Sequence, residues 1–148
     1  MLRLAAFAVT SALAAAAAGP LPPLPSLPVA RLLSAPAPDP DHLTIAVSAT
    51  GNRYLDGEYR LECDPVGGTH PEAKKACARL DELARQGKNP FAAEPKRQIC
   101  TFQDGGPATA RVTGSWRGEK VDSTFRRQNG CDIARWNELE PVLPSARS

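Results

Sequence analysis

The chain has 148 residues, room for one domain plus tails, and its 18 basic and 16 acidic side chains leave a formal charge of only +2. So even a balance argues against a nucleic-acid partner, which requires a clearly basic face. With only two histidines, no cofactor fingerprint and no nucleophile motif, the composition also argues against an enzyme.

Residues 1–18 begin Met1-Leu2-Arg3 and run on through an apolar stretch, Leu4 to Ala18, broken only by Thr10 and Ser11. A positive start, a short apolar centre and small residues at the end predict a secretory leader cut after about Ala17 or Ala18. The stretch is too short and too Ala-rich to span a membrane, so no membrane association is expected after cleavage. Residues 19–41 are rich in proline (Pro20-Leu21-Pro22-Pro23-Leu24-Pro25, then Ala35-Pro36-Ala37-Pro38-Asp39-Pro40). Proline at this density denies the backbone both helix and ladder bonds and predicts an extended spacer, with His42 at its edge.

Order is expected from about Leu43, in a domain over residues 42–140. Leu43 to Ala49 and Glu58 to Cys63 alternate apolar and polar side chains, with Tyr59, Leu61 and Cys63 inward, and predict an antiparallel pair. Gly68-Thr69-His70-Pro71-Glu72 predicts a helix start, with Thr69 and Glu72 as a capping box and Pro71 in the first turn. Ala73, Ala76, Cys77, Leu80, Leu83 and Ala84 then repeat at helical spacing, and Gly87 is placed to end the helix. His70, without a second ligand or a triad partner at suitable spacing, is expected to be structural. After an irregular stretch from Asn89 to Gln98, Thr109–Trp116 and Glu119–Phe125 flank Arg117-Gly118 and predict a hairpin. A short helix is expected from Asp132 to Leu139, and Pro141 and Pro144 mark residues 141–148 as a fraying tail.

Four cysteines in an exported domain, Cys63, Cys77, Cys100 and Cys131, predict two disulfides. Three pairings are possible; the most local joins neighbours along the chain, but spacing by itself leaves all three open. No two cysteines are close enough for a zinc site, so no metal is expected.

Cys100-Thr101-Phe102-Gln103-Asp104-Gly105-Gly106-Pro107 places a large aromatic in a polar loop two residues after a half-cystine. Either Phe102 folds inward and caps the core, or it protrudes as an anchor on a tethered backbone, the form a protease-binding segment takes.

Taken together, the early strand Leu43-Thr44-Ile45-Ala46-Val47, Cys63, Gly68-Thr69-His70-Pro71 before a helix carrying Cys77, the loop opening at Cys100, Gly114-Ser115-Trp116-Arg117-Gly118-Glu119-Lys120-Val121 and Cys131 resemble the Streptomyces subtilisin inhibitor family. The resemblance runs from about Leu43 to Asp132. It implies an α+β fold with an antiparallel sheet of about five strands, two helices, and disulfides joining Cys63 to Cys77 and Cys100 to Cys131. It also implies a homodimer, secretion, and inhibition of subtilisin-like and chymotrypsin-like serine proteases. In that family the reactive bond follows the second residue after the third cysteine, here Phe102-Gln103, with Cys100, Thr101 and Asp104 as flanking contacts. The chain departs from the family pattern where Thr101 replaces a proline and where the loop after Phe102 is one residue longer. A secreted, disulfide-stabilised binding domain without inhibitory activity is the competing reading, and a buried Phe102 would favour it.

Overall fold

The computed structural model describes residues 40–95 and 97–146. The expected leader and nearly all of the Pro-rich spacer lie outside them. Strand β1 (His42–Ser48) places Leu43, Ile45 and Val47 on the buried face. It sits at the centre of a five-stranded antiparallel sheet. On one side lie β2 (Gly57–Cys63) and the short β3 (Val66–Gly68); on the other lie β4 (Thr109–Trp116) and β5 (Glu119–Phe125). Register follows alternation: Leu43 stands opposite Leu61, Ile45 opposite Val112 and Val47 opposite Ala110, so these apolar side chains share one face. His42 belongs to β1 rather than to the spacer, and Asp41 already binds the sheet by accepting from the Cys63 and Arg117 amides.

The expected hairpin forms around Arg117 and Gly118, whose φ values of 53° and 76° are those of a type I′ turn. Helix α1 (Ala73–Arg85) packs against β2 and β3 through Ala76, Cys77, Leu80 and Leu83. It ends as expected, the Lys88 amide reaching back to the Leu83 carbonyl and the Gly87 amide to that of Ala84. Its start differs from the expectation. Thr69 Oγ1 accepts from the Arg60 amide (2.9 Å) and so serves the sheet, and Glu72 takes the cap position without a side-chain cap bond. His70 fills part of that role: its Nδ1 accepts from the Glu72 amide (3.1 Å), and its Nε2 donates to the Val142 carbonyl (3.0 Å).

Helix α2 (Gly130–Glu138) is capped by Asn129, whose side chain accepts from the Asp132 amide. The fraying expected after Pro141 is overturned. Trp136, Leu139, Val142 and Leu143 are wholly buried, and Trp136 Nε1 donates to the Pro144 carbonyl (2.9 Å). The prolines stop the helix, but the apolar residues between them fold back onto the core. Disulfides join Cys63 to Cys77 and Cys100 to Cys131, the pairing that the family resemblance implied.

Among the described residues no helix is long and apolar enough to cross a membrane, and no three metal-binding side chains cluster.

Candidate functional site

Between α1 and β4 the chain is irregular, and three contacts fix its course. Phe91 meets Trp116 edge-on at 5.4 Å, the Ser123 hydroxyl donates to the Phe91 carbonyl (2.7 Å), and Arg135 of α2 donates to the Ala92 carbonyl (2.8 Å). Beyond them the chain swings out into residues 98–107, where Phe102 is fully exposed (106 %) and Ile99 nearly so (99 %). Of the two courses open to Phe102, the structure takes the protruding one. Apolar surface left in water forgoes the stabilisation of burial, so two such side chains on one loop are suited to another molecule's pockets.

The backbone around Phe102 is bent locally and held from outside. The Gln103 amide donates to the Thr101 carbonyl (3.0 Å), a three-residue turn that pushes Phe102 outward. The same carbonyl accepts from the Gly130 amide (3.0 Å), one of the N–H groups that the first turn of α2 leaves without a helical partner. Cys100 is bonded covalently to Cys131 on that turn. On the other side of Phe102, Asp104 closes a short turn by accepting from the Gly106 amide (2.9 Å), and the Gly105 amide donates to the Arg127 carbonyl (2.8 Å). The Arg127 side chain returns the contact, Nε donating to the Gly105 carbonyl (3.0 Å).

The predicted residues Cys100, Thr101, Phe102, Gln103 and Asp104 therefore lie together on one projecting loop, exposed except for Cys100. Both of its flanks are fastened to residues 127–131. The packing there is close: a Cβ on Gly130 would strike the Thr101 hydroxyl, and one on Gly105 would come within 2.8 Å of Ile133 Cγ1. Sequence reasoning missed Ile99, Gly105, Arg127 and Gly130. Arg127 had a signal, because Val121, Ser123 and Phe125 point inward and the same alternation carried two residues past β5 buries Arg127 while Arg126 stays exposed.

Residues 39–129 match the family model described as Subtilisin inhibitor-like. The chain belongs to the subtilisin inhibitor-like family. Subtilisin inhibitor-like protein 1 of Streptomyces cacaoi is 37% identical over 79 residues, covering 51% of this chain and 68% of that protein. Protease inhibitor SIL-V2 of Streptomyces orinoci is 32% identical over 97 residues, covering 64% of this chain and 86% of that protein. Sermetstatin of Streptomyces caespitosus, solved in complex with Bacillus licheniformis subtilisin, covers 68% of this chain and 94% of its own, at 20% identity and a TM-score of 0.38. The expectation that the chain is not an enzyme agrees with membership of an inhibitor family.

Proposed function

We propose that this chain is a secreted inhibitor of serine proteases, with Phe102-Gln103 as its reactive bond. One observation carries the reading: the fully exposed Phe102 is flanked on both sides by attachments to the same short segment, residues 127–131. Its relatives named as protease and subtilisin inhibitors support the activity. Two disulfides suit an oxidising, extracellular setting, as does the expected leader.

The chemistry follows from the tethering. A protease serine attacks the Phe102 carbonyl, and the oxyanion hole stabilises the developing charge as it does for any substrate. In an ordinary substrate the released amine diffuses away. Here the Gln103 amine stays close, because Cys100 and Thr101 are fixed to Cys131 and Gly130 while Gly105 is fixed to Arg127. Religation then competes with hydrolysis through a high effective concentration. Prior ordering of the loop also removes an entropic cost that a flexible peptide incurs on binding.

An aromatic Phe102 suits an apolar specificity pocket and leaves a buried pocket acid unpaired, so subtilisin-like and chymotrypsin-like enzymes are the expected targets and trypsin-like ones are not. Ile99, on the acyl side, supplies a second apolar contact. The homodimer implied by the family resemblance belongs to the same proposal and is read from the mass in solution. Exposure of Phe102 favours this reading over a binding domain without inhibitory activity.

The test is a titration against subtilisin, chymotrypsin and trypsin, with N-terminal sequencing of chain nicked by catalytic amounts of enzyme. Stoichiometric inhibition of the first two and a new terminus at Gln103 are expected. Rapid general digestion, or nicking elsewhere, would refute the assignment.

A further inference from the structure

Arg127 is 5 % exposed, an unusual place for a guanidinium. Its Nε donates to the Gly105 carbonyl (3.0 Å), its Nη1 to Asn137 Oδ1 (2.9 Å), and its guanidinium lies 5.8 Å from the centre of the Trp136 ring. A side chain needed only to fill this space would be apolar, since burying a charge costs hydration that two neutral oxygens and an aromatic face repay in part. The planar fork does what no aliphatic side chain can: one edge holds the loop while the other holds α2. Trp136 and Asn137 lie beyond residue 129, where the family match ends. Trp136 is itself fixed by its bond to the Pro144 carbonyl. The buttress under the loop is thus completed by a part of the chain outside the family match.

We propose that Arg127 is a positioning residue for the reactive bond. It clamps Gly105, and with it the amine side of Phe102-Gln103, to the segment that already fixes the acyl side. This rests on the inhibitor reading of the loop. Losing the side chain leaves the Gly105 amide bond to the Arg127 main chain in place, so Phe102 still binds, but the nicked ends drift apart and the inhibitor becomes a slow substrate.

The experiment uses the full chain and catalytic subtilisin, following appearance of the terminus at Gln103 and the final ratio of nicked to intact protein. Wild type is compared with Arg127→Ala, Arg127→Lys and, as a stability control in the sheet core, Val112→Ala, with the melting temperature of each recorded. Nicking is expected to rise by about tenfold in Arg127→Ala, the scale of one lost charge-assisted hydrogen bond, and by less in Arg127→Lys, which keeps one donor. Val112→Ala is expected to lower the melting temperature without raising nicking in proportion. Unchanged nicking in both Arg127 variants overturns the proposal, as does a rise in Val112→Ala equal to theirs at the same loss of melting temperature. If Arg127→Ala does not fold, Arg127→Lys against wild type decides by the same criterion. Should wild type fail to inhibit while the Arg127 variants are nicked faster than the control, Arg127 orders the loop but there is no reactive bond to position, and the inhibitor reading and the proposal fall together. Should wild type inhibit and the variants behave like it, the inhibitor reading stands and the positioning role falls.

Discussion

Among the described residues two loops carry an exposed aromatic, and they are held in different ways. Tyr54, 86 % exposed, sits in a loop closed by its own residues and by a near neighbour on β2: Asp56 Oδ1 accepts from the Thr50 amide (3.0 Å) and hydroxyl (2.7 Å), Asn52 Oδ1 accepts from the Tyr54 amide (3.0 Å), and the Tyr59 hydroxyl donates to the Leu55 carbonyl (3.0 Å). Most of those bonds face water, which competes for them. The Phe102 loop is held instead by the Cys100–Cys131 disulfide, by the Gly130 amide on the Thr101 carbonyl and by buried Arg127 on the Gly105 carbonyl, all from residues distant in sequence. What separates the two loops is therefore not exposure of the aromatic but anchorage of both flanks from outside.

The largest expected effect comes from removing the covalent anchor. Replacing Cys100 and Cys131 together by serine should cost about 3 kcal/mol in the chain-entropy model and turn stoichiometric inhibition into steady cleavage of the loop. Replacing Cys63 and Cys77 should cost a similar amount of thermal stability, seen by calorimetry, yet leave inhibition intact below the melting transition. If both pairs affect inhibition alike, the contrast between platform and loop fails. Next, Phe102→Gly should weaken binding by about 2 kcal/mol or more, roughly a 30-fold rise in inhibition constant, whereas Tyr54→Ala should change it by less than about 0.5 kcal/mol. Equal losses at the two aromatics would place Tyr54 in the interface as well. Phe102→Arg should move preference toward trypsin while leaving the melting temperature near that of wild type; unchanged selectivity would count against the bond assignment.

The smallest effect concerns His70, packed where the start of α1 meets the C-terminal segment. Burial holds the His70 imidazole below its ordinary value near 6.5, against the opposing pulls of the Val142 carbonyl and the Glu72 carboxylate; the Tyr59 ring also meets it edge-on. In the folded chain His70 stays neutral where the unfolded chain already binds a proton, because a protonated Nδ1 could no longer accept from the Glu72 amide. Its contribution to stability is thus complete above about pH 6.5 and declines as pH falls through that value toward the lower folded pKa. Melting temperatures measured from pH 8 down to about pH 5 should fall in this window, and His70→Gln should flatten that part of the profile. A profile equally steep in both proteins would remove His70 as the cause.

How far the sequence reached is visible in particular residues. The alternation of Leu43, Ile45 and Val47, the Arg117-Gly118 turn and the helical repeat ending at Gly87 depend on the geometry of a few neighbouring residues, so short patterns determined where β1, the β4–β5 hairpin and α1 would form. The resemblance supplied the disulfide pairing and the placing of Phe102, since spacing left three pairings and two courses for the aromatic open. The tertiary structure decided the rest. Thr69 had the chemistry of a cap but was taken by the Arg60 amide from the neighbouring strand. Val142 and Leu143 stood between prolines that signal a tail, yet packing against the core buried them. Arg127 and Gly105 meet because the β4–β5 hairpin doubles the chain back beneath the loop, and a contact between residues so far apart in sequence leaves no periodic trace that a local pattern can register.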